Sequence, residues 1–217
     1  MCSVRHSPMP CASKFRAVTA SSGVSALARM PISRAAIRIA VRLAEDRIIS
    51  REEAMMRIEP RTLNALLHRQ VDPDTPRDVL GTGNAASPGA ATGRIVFSAA
   101  EAQASAARGE ACVLVRRETS PEDIRGMHAA VGVLTQKGGM TSHAAVIGRG
   151  LGLPCIVGAS TMGFQMHRQE LVAPDGRVLR AGDVITLDGS SGQILAGEPG
   201  MLEAALDDAF YTLMGWA

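Results

Sequence analysis

The run Leu134-Thr135-Gln136-Lys137-Gly138-Gly139-Met140-Thr141-Ser142-His143-Ala144-Ala145-Val146-Ile147-Gly148-Arg149-Gly150 contains residue types that could do chemistry together. The pattern predicts a strand, a glycine pair, Thr and Ser at a helix start, and a histidine in the first turn. Gly138 and Gly139 can adopt backbone conformations closed to other residues and leave room for a bulky group near the main chain. Thr141 is the expected N-cap. The free N–H groups and positive dipole end of the helix then face the surroundings of His143 and favour an anion there. A neutral imidazole, with a reference pKa of about 6.5, is a nucleophile near neutral pH. A nucleophilic His beside an anion-binding helix start has the parts needed for reversible phosphorylation on nitrogen. A histidine in a first helical turn is also what a cap-region residue without a chemical task looks like, and spacing alone leaves both readings open.

Other chemistries fit less well. No second His, Cys or carboxylate lies at helical spacing from His143, so no metal site is expected. No G-x-S-x-G elbow surrounds Ser142, which excludes the usual serine-hydrolase arrangement. His128 is expected at the C-terminal end of a helix, where a cation suits the dipole, and is assigned no chemistry. Cys155 falls on an apolar strand and reads as a small core residue.

The elements that must position His143 follow from periodicity and turn chemistry. Expected strands are Gly93–Ser98, Cys112–Arg116, Gly132–Thr135, Cys155–Val157, Val184–Leu187 and Gln193–Leu195, with helices at Ala100–Ala107, Pro121–Ala129 and Ser142–Leu151. Ser120 is the expected N-cap of the second, with Pro121 at its first position and Asp123 three after the cap. Strands alternating with helices imply a partly parallel sheet. The run from Gly182 to Gln193 reads as two strands joined by a tight turn. The fold class is therefore α/β with an antiparallel portion. Upstream, Ile37, Ala40, Val41 and Ala44 share one helical face, Ser50 and Glu53 suggest a capping box, and Pro60 opens a third short helix. Three such helices cannot form a large core alone and should pack on something else.

Composition narrows the classes further. The chain has 217 residues, 46% hydrophobic and 20% charged, which is enough to bury a core. Aromatics are only 3%, so the core must be aliphatic. A formal charge of +2 with no aromatic-studded basic stretch gives no reason to expect a nucleic-acid partner. No apolar run approaches the ~20 residues that span a bilayer. Cys2, Cys11, Cys112 and Cys155 are scattered without a C-x-x-C pair, which argues against a zinc site or disulfide framework and fits a cytoplasmic setting. Residues 1–30 are Arg/Ser-rich and free of acids, like an organelle transit peptide in composition. With no strong amphipathic helix there, a flexible leader is the simpler expectation.

Gly138-Gly139-Met140-Thr141-Ser142-His143-Ala144-Ala145 resembles the signature of the mobile domain of phosphoenolpyruvate-utilising enzymes. Three further stretches resemble the pyruvate, phosphate dikinase branch of that family: Arg51-Glu52-Glu53-Ala54 through Leu67-His68, Arg116-Arg117-Glu118-Thr119-Ser120-Pro121-Glu122-Asp123, and Phe210-Tyr211-Thr212-Leu213-Met214-Gly215-Trp216-Ala217. Ser87-Pro88-Gly89-Ala90-Ala91 fits the start of the same domain. The resemblance covers roughly residues 33–217. It implies a swivelling β/β/α phosphohistidine domain at 76–200, preceded by a flexible leader at 1–32 and a helical linker segment at 33–75. Residues 201–217 would begin a linker toward a C-terminal barrel.

By the same resemblance, His143 carries a phosphoryl group, with Gly138, Gly139, Thr141 and Ser142 as its immediate surround. An ATP-grasp domain would load the histidine from ATP, and a barrel domain would exchange it with pyruvate and phosphoenolpyruvate. The two domains are expected partners, in cis or in trans. Magnesium and ATP are implied for the full enzyme, with no cofactor held by this stretch. Thr141 matches a threonine phosphorylated by a regulatory protein in some members, which implies a regulatory kinase and phosphatase. Added negative charge there would repel an incoming phosphate. Lys137 stands where the family often has Arg, Gly148 where Ala is common, and Ala85 where Pro is usual. Lys137 keeps the charge and loses the fork, and Gly148 is expected to loosen its helix by about 1 kcal/mol. A stand-alone carrier acting in trans, a non-catalytic remnant and a phosphoenolpyruvate synthase-like carrier are the alternatives. Trp216 reads as a half-exposed linker residue or an interface anchor.

Overall fold

Cys112 and Leu114 face one side of a strand and Val113 and Val115 the other, and none of the four has exposed surface. A strand buried on both faces must lie inside a layered fold, between helices and something else. The computed structural model describes residues 32–204 and 206–217, and the expected leader lies outside these apart from Ile32, which begins a helix.

The central sheet contains β2 (Val79–Thr82), β3 (Asn84–Ser87), β4 (Ala90–Val96), β5 (Cys112–Arg116), β6 (Gly132–Thr135), β7 (Cys155–Val157), β11 (Val184–Asp188) and β12 (Gln193–Ala196). Their order is β2-β12-β11-β4-β5-β6-β7-β3. Strands β4 to β7 run parallel to their neighbours, and the remaining pairings are antiparallel. The mixed sheet expected from the sequence is present. Crossovers between the parallel strands run through α4 (Ala99–Ala107), α5 (Ile124–Ala129) and α6 (His143–Leu151).

One sheet face packs Cys112, Leu114, Val133, Cys155 and Val157 against Ala102, Met127, Ala144 and Ala145 of the helices. The other packs Val113, Val115, Leu134, Ile156, Ile185 and Leu187 against Met162 and Leu171. Leu171 belongs to a small antiparallel sheet of β8 (Gly163–Gln165), β9 (Glu170–Val172) and β10 (Val178–Arg180). The three layers are therefore small sheet, large sheet, helices, which is the β/β/α arrangement.

The two edges of the large sheet are not free ends. Strands β2 and β3 pair at its opposite margins, yet only Gly83 separates them in sequence. The segment 79–87 thus joins both margins and curls the sheet into a closed, barrel-like form. At the joint, Gly83 N–H donates to the Gly192 carbonyl at 2.9 Å. A Cβ on Gly83 would fall 2.7 Å from Ile156 Cγ2 and 3.0 Å from the Val157 carbonyl, so the joint is too tight for a side chain.

A separate small core lies among α1 (Ile32–Glu45), α2 (Arg51–Met56), α3 (Pro60–Leu67) and α7 (Asp208–Met214). Ile37, Ala40, Val41, Ala54, Ile58 and Leu66 pack there with Phe210 and Leu213. The partner that the three N-terminal helices require is the last helix of the chain. The half-buried Trp216 also packs against this core, with the Arg51 guanidinium 5.6 Å from its ring centroid. The helical body joins the β/β/α body through antiparallel β1 (Gln70–Val71) and β13 (Met201–Leu202).

Several expectations shift. Strand β4 starts at Ala90, three residues earlier than expected, because it pairs with β11 along Ala90–Arg94. The helix expected at 121–129 divides into a 3-10 turn, Pro121–Asp123, and α5. Ser50 Oγ accepts from Glu53 N–H at 3.1 Å, but the Glu53 carboxylate accepts from Arg57 at 2.6 Å, so the Ser50 box is only half formed. No helix among the described residues is long and apolar enough to cross a membrane.

Candidate functional site

The His143 loop grows from the carboxyl ends of the parallel strands, where open α/β sheets place their ligand crevices. Strand β5 ends at Arg116, whose guanidinium donates to Asp123 Oδ2 at 3.1 Å and to the Phe97 carbonyl at 3.0 Å. The buried Asp123 carboxylate also accepts from Ser120 N–H at 2.9 Å and from its hydroxyl at 3.1 Å. A buried carboxylate with these charge-assisted bonds fixes the turn at 117–120.

That turn holds the next one. Gln136 and Lys137 N–H donate to the carbonyls of Arg116 and Arg117 at 3.1 and 2.9 Å. Thr135, fully buried at the end of β6, donates its hydroxyl to the Lys137 carbonyl at 2.7 Å. Its own carbonyl accepts from Ala159 N–H at 3.0 Å. The chain is tied on both sides before it reaches the glycine pair.

Gly138 then takes φ +111°, a region that disfavours side chains. A Cβ there would sit 2.9 Å from both Cβ and Oγ of Ser142. The glycine is what lets the loop fold back onto the start of α6. The Gly139 carbonyl accepts from Ser142 N–H at 2.9 Å and closes the turn. Gly158, at φ +68°, admits the loop from its other side: a Cβ there would lie 2.7 Å from the Gly138 carbonyl and 2.8 Å from Asn84 Nδ2.

The N-cap is Ser142, one residue later than expected. Its backbone is extended, at φ −65° and ψ 158°, and its Oγ accepts from Ala145 N–H at 3.4 Å. The Gly139–Ser142 bond prolongs the turn and leaves Thr141 exposed within it, so Thr141 does not cap. His143 is the first helical residue, and its side chain is exposed. The N–H groups of His143 and Ala144 have no helical acceptor, as at every helix start.

Helix α6 is held by small residues. Ala144, Ala145 and Gly148 are buried against the sheet, and a Cβ on Gly148 would meet Cys155 Cβ at 2.9 Å. Burial pushes the Cys155 thiol up to about 12, so Cys155 is a packed apolar group and not a nucleophile at neutral pH. Gly152, at φ +66°, ends the helix.

The structure thus brings Gly138, Gly139, Ser142 and His143 together, with Thr141 on the outer lip. It also gives specific tasks to four residues for which sequence reasoning offered none: Thr135, Gly158, Asn84 beside it, and Arg149, whose Nη2 donates to the Met140 carbonyl at 2.7 Å. Of these, Gly158 immediately after a strand was a visible turn signal, whereas the tasks of the others follow from how the loop folds back on itself and not from residue type. Among the described residues, no group of three or more His, Cys, Asp or Glu side chains could hold a metal ion.

Residues 109–192 match the family model described as PEP-utilising enzyme, mobile domain. A pyruvate, phosphate dikinase of Rhizobium meliloti is 54% identical over 185 residues, covering 85% of this chain and 20% of that protein. This chain carries a PEP-utilising enzyme mobile domain. A pyruvate, phosphate dikinase of Clostridium symbiosum is 44% identical to it over 185 residues (84% of this chain, 21% of that protein). A chloroplastic one of Mesembryanthemum crystallinum is 45% identical over 184 residues (84% and 19%). The chain spans about a fifth of the length of these relatives. Among solved structures, an Enzyme I protein studied by NMR is 25% identical, with a TM-score of 0.30, covering 49% of this chain and 38% of that one, too loose a match to compare positions. The glycine loop, Ser142 and His143 all lie inside the mobile domain.

Proposed function

We propose that the mobile domain is the phosphoryl carrier of a pyruvate, phosphate dikinase-like phosphotransferase and that His143 bears the phosphoryl group. The observation that carries this reading is the placement of His143: exposed, first in its helix, on a glycine loop held rigidly at the carboxyl ends of the parallel strands. The nucleophilic step needs an accessible imidazole nitrogen and a surround that tolerates negative charge. Exposure supplies the first. The helix start and the glycine pair supply the second.

In the full reaction ATP, phosphate and pyruvate would yield AMP, pyrophosphate and phosphoenolpyruvate. At the pyruvate end, the imidazole lone pair attacks the phosphorus of phosphoenolpyruvate, the bond from phosphorus to the enol oxygen breaks, and pyruvate leaves as its enolate. The opposite direction returns the phosphoryl group to the enolate oxygen and frees the imidazole. Gly138 and Gly139 keep side chains out of the phosphoryl group's path, Ser142 fixes the helix start, and Thr141 stands where a regulatory phosphate would oppose loading. Metal and nucleotide would belong to an ATP-grasp domain and pyruvate to a barrel domain, in cis or in trans.

The test is intact-mass and acid-lability analysis after incubation with separately prepared partner domains, once with ATP, magnesium and phosphate, and once with phosphoenolpyruvate. An acid-labile phosphoryl adduct that disappears in His143→Ala is expected. An adduct that persists in that variant, or none with partner domains proven on another carrier, overturns the proposal.

A further inference from the structure

Arg149 belongs to the last turn of α6, where a cation ordinarily complements the negative end of the helix dipole. Its charge is not delivered there. Side chains on a helix lean toward its N-terminus, and the Arg149 guanidinium reaches back to bond the Met140 carbonyl at 2.7 Å. A positive charge therefore stands beside the positive end of its own helix. Among the described residues it has no ion pair with a carboxylate, and Met140 is its one hydrogen-bond acceptor.

Two more basic residues adjoin the same loop through their backbone. The Arg117 carbonyl accepts from Lys137 N–H at 2.9 Å, which ties these two exposed basic residues to the glycine turn. Neither forms an ion pair among the described residues, although Glu118 and Glu122 lie on the neighbouring turn. A guanidinium at a helix start with no carboxylate beside it is unfavourable until an anion arrives.

We infer that Arg149 is a positioning residue for the phosphorylated state of His143. Its guanidinium fixes the Met140–Thr141 peptide, and its charge at the loop mouth favours the phosphoryl group once bound. The inference rests on the reading of His143 as the phosphoryl acceptor. It assigns a task to a cation whose charge otherwise stands at the wrong end of its helix.

The full chain can be examined without partner domains by using phosphoramidate as the phosphoryl donor. The imidazole nitrogen attacks phosphorus, the phosphorus–nitrogen bond breaks, and ammonia leaves with the proton. Loading and hydrolysis of the adduct are followed by phosphorus NMR, and amide hydrogen exchange is followed at residues 139–141. For Arg149→Gln, slower loading and faster hydrolysis are expected, together about tenfold in the level of adduct, as for loss of one charge-assisted hydrogen bond. Exchange at 139–141 should accelerate. Arg149→Lys should recover most of the loading, because the charge remains. Raising ionic strength should lower loading of the unsubstituted chain more than that of Arg149→Gln. Equal adduct levels and equal salt dependence in Arg149→Gln and the unsubstituted chain overturn the role of Arg149 and leave His143 untouched. Failure of the unsubstituted chain to load at His143 overturns both readings.

Discussion

Thr141 and Ser142 are adjacent hydroxyls before His143, and only Ser142 caps the helix. Ser142→Ala should therefore cost about 0.5–1 kcal/mol in thermal or denaturant unfolding, the low end for a cap because its bond is long. Thr141→Ala should leave stability unchanged within experimental error, since no cap bond is lost. Thr141→Asp should slow loading of His143 while preserving the fold, because a carboxylate on the exposed lip opposes a second negative charge. A loading rate equal to that of the unsubstituted chain would remove Thr141 from any regulatory scheme. Both hydroxyls are good caps by type, so the sequence could not choose between them. The choice is made by the Gly139 carbonyl, which reaches Ser142 N–H. A local side chain was less legible still: Thr135 is fully buried, and its bond to the Lys137 carbonyl two residues on shows its task only in three dimensions. Cys155 behaves as its apolar neighbourhood suggests. Burial pushes its thiol up to about 12, from about 9 in the reference state. The folded chain should thus lose stability between about pH 9 and 12, as the unfolded chain releases that proton first. Alkylation of Cys155 at pH 8 should follow global unfolding.

At the scale of elements, α6 shows what a sequence pattern can and cannot say. Its existence and extent were readable from the Ala-Ala-Val-Ile run and the glycine stop at Gly152. The meaning of Gly148 was not. Propensity alone treats it as a loosening residue, but the structure places it against Cys155, with no space for a methyl group. Gly150, on the same helix, has nothing within 4 Å of a Cβ position. Gly150→Ala should stabilise by up to about 1 kcal/mol, and Gly148→Ala should destabilise despite the same gain in propensity. Thermal unfolding of the two variants gives the comparison, and an equal rise in both would refute the packing argument. The small sheet escaped notice for a related reason. Each of β8, β9 and β10 has three residues, and only Leu171 among them is fully buried, too short a run for alternation to register. The longer strands β5 and β6 are buried throughout or nearly so, and their apolar runs were plain.

For the whole molecule, the helical body depends on its two ends meeting. Phe210 and Leu213 fill the core formed by Ile37, Val41, Ala54 and Leu66. Burying such side chains contributes about 1.5–3 kcal/mol each. A chain ended after Ala204 should lose helical circular dichroism from 32–67, while phosphoryl loading at His143 persists, because the loop's bonds all lie within the β/β/α body. Loss of loading in that truncated chain would show that the helical body supports the site after all. The pairing of distant ends is invisible to local periodicity, which is why three helices could be read without the fourth that completes them.

The neck between the two bodies has a practical consequence. Gln70 pairs with Leu202 and Val71 with Met201, so the chain enters and leaves the β/β/α body side by side, about 4.8 Å apart as neighbouring strands are. Topologically, everything between them is a single long excursion from a hairpin. Such a unit can be grafted as a cassette into a surface hairpin of an unrelated host, with both junctions satisfied by one ladder of hydrogen bonds. The host would need to supply only two adjacent strand ends.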